Sequence, residues 1–156
     1  MGKDKIDPED NEDIIPEENE PLTYEQQLAF ISVIAKPIAN KKLTKKLYKL
    51  IRRASELKSI RHGLRDVQSS IRKGETGIVV FAGDVTPIEI MCHMPAVCEE
   101  KGIDYAYTPS KSEIGLAMGV RRNCLMILIK EHSDYAEQYS DCKNRMKNAF
   151  KEAFLN

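Results

Sequence analysis

The sequence predicts an α/β protein, a three-layer α/β/α sandwich built on a small mixed sheet of about four strands. Two runs of consecutive apolar residues, Ile78–Ala82 and Cys124–Ile129, suit strands covered on both faces. Around them, apolar residues recur at three- and four-residue spacing, the mark of helices with one buried face. Turn and cap residues separate these segments, so strands alternate with helices and crossover connections are expected.

Composition sets the limits. With 156 residues and 42% hydrophobic content, the chain is long enough for one domain with a real core. The formal net charge of zero hides a partition: residues 1–35 carry two lysines against ten acids, residues 36–73 thirteen bases against Glu56 and Asp66, and residues 74–156 nine bases against twelve acids. A block this basic is the electrostatic footprint of a protein that touches phosphate backbones. Residues 1–35 are expected to be an acidic, largely disordered tail and residues 36–156 a single domain. No apolar run could cross a bilayer as a helix. The N-terminus lacks a signal-peptide core, and Ile6 stands where a myristoylation signal after Gly2 needs Ser or Thr. A soluble intracellular protein is expected.

Taken in order, Lys41–Leu57 places Leu43, Leu47, Leu50, Ile51, Ala54 and Leu57 on one helical face. The other face holds Lys41, Lys42, Lys45, Lys46, Lys49, Arg52 and Arg53, whose mutual repulsion does nothing for the helix itself. An ordinary solvated face mixes its signs. This one is almost uniform, which points to phosphate contact or a nuclear-import signal. After a break at Lys58–Arg61, Gly63 opens a shorter helix carrying Leu64, Val67 and Ile71, which Gly74 stops. Its first turn holds Arg61, His62, Arg65 and Asp66 around a glycine that lets a backbone approach closely; His62 by itself reads as a solvated residue.

The strand Ile78–Ala82 should be central. Gly83 and Asp84 turn the chain, and Thr86, Pro87 and Glu89 mark a helix start with a cap, an N1 proline and a capping-box acid. A strand feeding a helix N-terminus in this way presents backbone N–H groups to a ligand, small molecule or RNA. That helix is expected to run to Gly102, kinked or broken at Pro95. Asp104–Tyr107 reads as a strand, Ser110 and Glu113 as a second capping box, and Gly119 as a helix stop. Ser133–Leu155 closes the chain as a helix packed on the sheet, with Ala136, Tyr139, Cys142, Met146, Phe150 and Phe154 on one face.

Catalytic chemistry finds little footing. No Walker or dinucleotide fingerprint is present. Cys92, Cys98, Cys124 and Cys142 fall on apolar positions without CxxC spacing, so reduced core thiols are expected. The group Cys92, His93 and Cys98 matches no zinc pattern, its first two side chains pointing about 100° apart on a helix. A small enzyme using these three residues is the weakest reading. No metal, cofactor or catalytic residue is expected.

The run GIVVFAGDVTPIEIMCHMPAVCEEKGIDYAYTPSKSEIGLAMG, with LTKKLY at Leu43–Tyr48 and the stretch Arg61–Gly77, resembles the kink-turn RNA-binding family related to archaeal large-subunit ribosomal proteins. The likeness covers about residues 36–130 and is nearest to the H/ACA ribonucleoprotein branch. It implies a non-catalytic subunit that binds H/ACA guide RNA in a nucleolar particle, with Cajal bodies as a further site. That particle converts uridine to pseudouridine in ribosomal and spliceosomal RNA, contributes to ribosome biogenesis and accompanies telomerase RNA. The partners implied are a dyskerin-type pseudouridine synthase, a small bridging subunit and a glycine-arginine-rich subunit, with no membrane. The alternative within the family is a kink-turn protein of the spliceosome, box C/D particle or ribosome.

In the family an Asn-Glu-x-x-Lys set after a glycine reads the sheared purine pairs of the kink-turn. The matching positions here are Gly63, then Arg65, Asp66 and Ser69, so an amide and a cation are lost and a guanidinium suited to phosphate is gained. The other positions implied to face RNA are Thr86, Ile90, Lys111, Val120 and Arg122, beside Lys41, Lys42 and Arg61 from the basic block. Asn123 replaces a proline common among relatives, removing a restraint on that loop. Weaker, less selective and more salt-sensitive binding than that of an archaeal relative is expected.

Overall fold

The computed structural model describes residues 23–29, 35–84 and 93–155. A short helix α1 (Tyr24–Leu28) is followed by α2 (Lys41–Glu56), β1 (Ile60–His62), α3 (Leu64–Arg72), β2 (Ile78–Ala82), α4 (Met94–Lys101), β3 (Asp104–Thr108), α5 (Lys111–Met118), β4 (Met126–Ile129) and α6 (Ala136–Phe154). The strands form one mixed sheet in the order β1-β4-β2-β3. Every residue of β2 and β4 is buried, because helices cover both faces of the sheet. The three-layer α/β/α fold expected from the sequence is the fold observed.

Strand directions decide where a site can lie. β1 and β2 each run antiparallel to β4, and β3 runs parallel to β2. The carboxyl ends of β1, β2 and β3 therefore share one edge with the start of β4. The chain also enters α2 at that edge, since Ile38 bridges Tyr107 in parallel.

α2 follows its pattern. Asn40 caps it by accepting the Leu43 N–H at 2.8 Å, and Leu43, Leu47, Leu50, Ile51 and Ala54 are buried beneath the basic face. In β3, Tyr105 and Tyr107 share one side of the strand. They meet Phe81 of β2 at centroid distances of 5.7 and 5.2 Å, and Phe150 of α6 stacks edge-on to Tyr105 at 6.0 Å. This aromatic cluster joins α6 to the sheet.

Several local expectations are corrected. Lys58–Arg61 is not simply a break, because Ile60 and Arg61 belong to β1, a three-residue edge strand paired with β4. Pro95 stands in the first turn of α4, which begins at Met94, so its missing N–H costs no bond within that helix; the residues 85–92 expected to precede it in the same helix lie outside the described residues. Residues 85–92, with the expected cap at Thr86, Pro87 and Glu89, lie outside the described residues. Ser110 caps α5 by accepting the Glu113 N–H at 3.3 Å, but the Glu113 carboxylate accepts from the Gln27 side chain of α1. Cys124 and Leu125 precede β4, which starts at Met126. Along α6, Tyr139, Cys142 and Met146 are buried, whereas Ala136 is exposed and Phe154 is 46% exposed, so the buried face is narrower than the apolar stripe.

The acidic N-terminal segment contributes structure at its far end. Thr23 caps α1 in a complete capping box, and the Tyr24 hydroxyl donates to the Ala39 carbonyl. Residues 1–22 lie outside the described residues.

Candidate nucleic-acid interface

At the shared sheet edge, an open groove of about 440 Å³ separates the start of α3 from the loop between α5 and β4. One wall is His62, Gly63, Leu64, Arg65 and Asp66. The other is Met118, Val120, Arg122, Asn123, Cys124 and Leu125. Gly63, Arg65, Asp66, Val120 and Arg122, all singled out in the sequence, thus come together from two stretches far apart in the chain.

The α3 wall is built by backbone conformation. Gly63 has φ 88° and ψ 152°, a region open essentially to glycine alone, and its N–H donates to the Met126 carbonyl at 3.0 Å. The chain leaves β1 there and turns straight into α3. No side chain caps that helix, so the N–H groups of its first turn keep their capacity for an anionic acceptor. Arg65 and Asp66 are exposed on this turn. Ser69 lies one turn further along α3, half-buried and outside the groove lining.

The opposite wall is a pinned loop. Val120 N–H donates to the Gly115 carbonyl at 3.0 Å and Cys124 N–H to the Lys111 carbonyl at 3.1 Å, so the loop is tied to the middle and the start of α5. These bonds restrain the loop on either side of Asn123. Gly115 permits the approach, because a Cβ there would stand 1.9 Å from the Arg122 carbonyl oxygen. Arg122 is exposed above the loop. With Arg65 facing it and Asp66 the one acid of the lining, the groove favours an anionic ligand.

Other expected site residues are placed differently. Arg61 points away from the groove, as strand alternation requires next to His62, and its Nε lies 3.7 Å from Glu75, which Lys130 also approaches at 3.9 Å. Lys111 does not line the groove. Its backbone N–H donates to the Asp84 carboxylate at 2.9 Å and its Nζ to the Asp84 carbonyl at 3.2 Å, fixing the turn after β2. Lys41 and Lys42 are exposed at the start of α2, on the same sheet edge beyond β3. Thr86 and Ile90 lie outside the described residues. His62, expected to be solvated, is exposed and lines the groove; with only Ile60 apolar in β1, no alternation marks its strand.

Among the described residues no geometry supports the thiol chemistry weighed from the sequence. Cys98 is fully buried, and burial, reinforced by Glu99, pushes its thiol up to about 12. His93 instead lies 3.4 Å from the Gln68 side chain, and Cys92 is outside the described residues. Among the described residues no cluster of His, Cys, Asp and Glu is suited to a metal ion. Burial likewise raises Cys142 to about 11 and Tyr139 to about 12. The folded state holds these groups neutral, so their contribution to stability is complete below the unfolded pKa and is lost as pH rises through the folded values. The urea midpoint is expected to hold steady to about pH 8 and to fall progressively toward about pH 12. Chemical denaturation across that range checks this; a midpoint still flat at the upper end would contradict it.

Residues 45–139 match the ribosomal protein L7Ae/L30e/S12e/Gadd45 family. The chain is 54% identical over 125 residues to the H/ACA ribonucleoprotein complex subunit 2-like protein of Drosophila yakuba, covering 80% of this chain and 78% of that protein. It is 53% identical over 120 residues to the protein of the same name from Xenopus tropicalis, covering 77% and 80%. Among solved structures, the Giardia lamblia 15.5kD RNA binding protein superposes with a TM-score of 0.73 at 28% identity, covering 76% of this chain and 99% of that one.

Proposed function

The chain belongs to the ribosomal protein L7Ae/L30e/S12e/Gadd45 family, and from that premise we propose that it is a non-catalytic, RNA-binding subunit of the H/ACA ribonucleoprotein particle. The observation that carries the RNA-binding part is the groove, where Gly63, Arg65, Val120 and Arg122 converge on an uncapped helix start. The identity of relatives named for the H/ACA complex, about half of the aligned residues, supports the particle over a box C/D, spliceosomal or ribosomal assignment.

On this reading the RNA is an H/ACA guide RNA, and the particle modifies uridines of ribosomal and spliceosomal RNA and accompanies telomerase RNA. The chemistry belongs to a dyskerin-type synthase, reached through the small bridging subunit, with the glycine-arginine-rich subunit in the same nucleolar particle. The groove's part is to hold a sharply bent RNA. The first turn of α3 and the two arginines take the phosphates, while Leu64 and Val120 offer apolar contact to unstacked bases. Arg65, in place of the family's asparagine, directs recognition to the backbone, so affinity should fall steeply with salt.

Purification of the protein from its own cells, with sequencing of the retained RNA and identification of the retained proteins, tests the assignment. Enrichment of H/ACA guide RNAs together with a pseudouridine synthase is the expected result; box C/D or spliceosomal small RNAs would replace the particle. In vitro, Arg122→Ala removes a charge-assisted contact worth about 1.5–3 kcal/mol and should weaken binding of a kink-turn RNA about tenfold or more. A filter-binding titration reads this directly, and an unchanged affinity would remove the loop from the interface.

A further inference from the structure

Six of the seven cations of α2 divide into two kinds; the seventh, Lys42, is exposed and lies just outside the arc of the second kind. On the flank facing α6, Lys46 Nζ lies 3.2 Å from Asp141, whose carboxyl is held below its usual range by Lys46 and Arg145, and Arg53 lies 3.5 Å from Glu56. Lys41, Lys45, Lys49 and Arg52 are exposed and have no acidic partner among the described residues. Helical geometry puts these four within an arc of about 80° and spreads them along roughly 16 Å of the helix axis. Like charges at this spacing repel one another, and no described acid forms an ion pair with them.

The row is continuous with the groove. The Ser55 hydroxyl donates to the Met118 carbonyl at 3.1 Å, so the carboxyl-terminal ends of α2 and α5 touch, and Met118 lines the groove. Lys49 and Arg52 share a cleft with Leu116 and Ala117 of α5, where Leu116 is 61% exposed. The acid in that cleft, Glu113, is already engaged by Gln27. Helix α5 is therefore a common wall, with the RNA groove at its end and the basic row along its flank.

We propose that Lys41, Lys45, Lys49 and Arg52 form a second phosphate-binding surface, which holds the RNA stem that continues out of the groove. This rests on the groove being the RNA site. Lysines act as point charges without bidentate geometry, so the row reads no sequence and adds affinity in proportion to the phosphates it neutralises. Its effect depends on how much stem the RNA carries.

The test uses the full chain and two RNAs, one trimmed to the bend and one whose flanking stem is extended by a helical turn or more. The variant Lys41→Gln, Lys45→Gln, Lys49→Gln, Arg52→Gln should leave the trimmed RNA within about twofold and weaken the extended RNA by about tenfold or more at moderate salt. Its slope of log affinity against log salt should become shallower by about 3 for the extended RNA alone. An unchanged extended RNA would overturn the proposal, and so would equal loss on both RNAs, which marks long-range charge without contact. Unaltered RNA affinity with loss of an acidic protein from the purified particle would make the row a protein surface. Arg122→Ala separates the two readings. If it weakens both RNAs, the groove stands; if it weakens neither while the row variant still discriminates, the groove reading fails and the row remains.

Discussion

Gly63→Ala is expected to lower the stability of the protein by about 1–3 kcal/mol and to weaken RNA binding well beyond that of any single charge neutralisation in the groove. The cause is purely conformational. A Cβ at this position would meet nothing within 4 Å, so there is no clash to relieve. What alanine cannot adopt is φ 88° with ψ 152°. The peptide must rotate, and then the N–H that donates to Met126 and the helix start that follows move together. Gly63→Asn should not rescue, because asparagine tolerates the left-handed region near ψ of about 47°, a different conformation. Urea denaturation and RNA titration of both variants check this. An asparagine variant with full affinity would mean that the first turn of α3 forms without the backbone conformation seen here.

The same position marks what the sequence could disclose. Long elements with strong periodicity, α2 and the apolar runs of β2 and β4, are legible because burial imposes a repeat that composition records. Gly63 is legible as a helix boundary from local chemistry alone. β1 is not, since an edge strand of three residues with one apolar side chain carries no alternation. Nor does periodicity tell where a proline falls in a helix. Pro95 stands at a start and not in an interior because α4 begins at Met94, a boundary with no side-chain cap to announce it.

The groove itself was only half accessible from spacing. Its two walls come from residues 62–66 and 118–125, and no local pattern joins segments so distant. Val120 and Arg122 are marked as RNA-facing by family resemblance alone; the physical reason for their position is the packing of their loop on α5. Arg61 illustrates the reverse case. Composition assigned it to the basic block, but strand alternation turns it toward Glu75.

Gly115→Ala is expected to have an effect of similar size through the opposite mechanism. No unusual backbone angle is involved, since Gly115 lies within α5. The cost is steric: the added Cβ would stand 1.9 Å from the Arg122 carbonyl oxygen and 3.1 Å from its carbonyl carbon, both rigid backbone atoms. The loop must lift from the helix, which costs about 1–3 kcal/mol as overpacking and carries Val120 and Arg122 away from Arg65. Part of that cost can be avoided by freeing the loop, so RNA affinity should suffer more than stability does. A fall in affinity of about tenfold beyond Arg122→Ala alone, with the urea midpoint still cooperative, is the expected pattern. If affinity fell no further than in Arg122→Ala, the arginine alone would carry the loop's contribution. A larger loss means that the shape of the wall, held by one glycine outside the groove lining, is itself part of recognition.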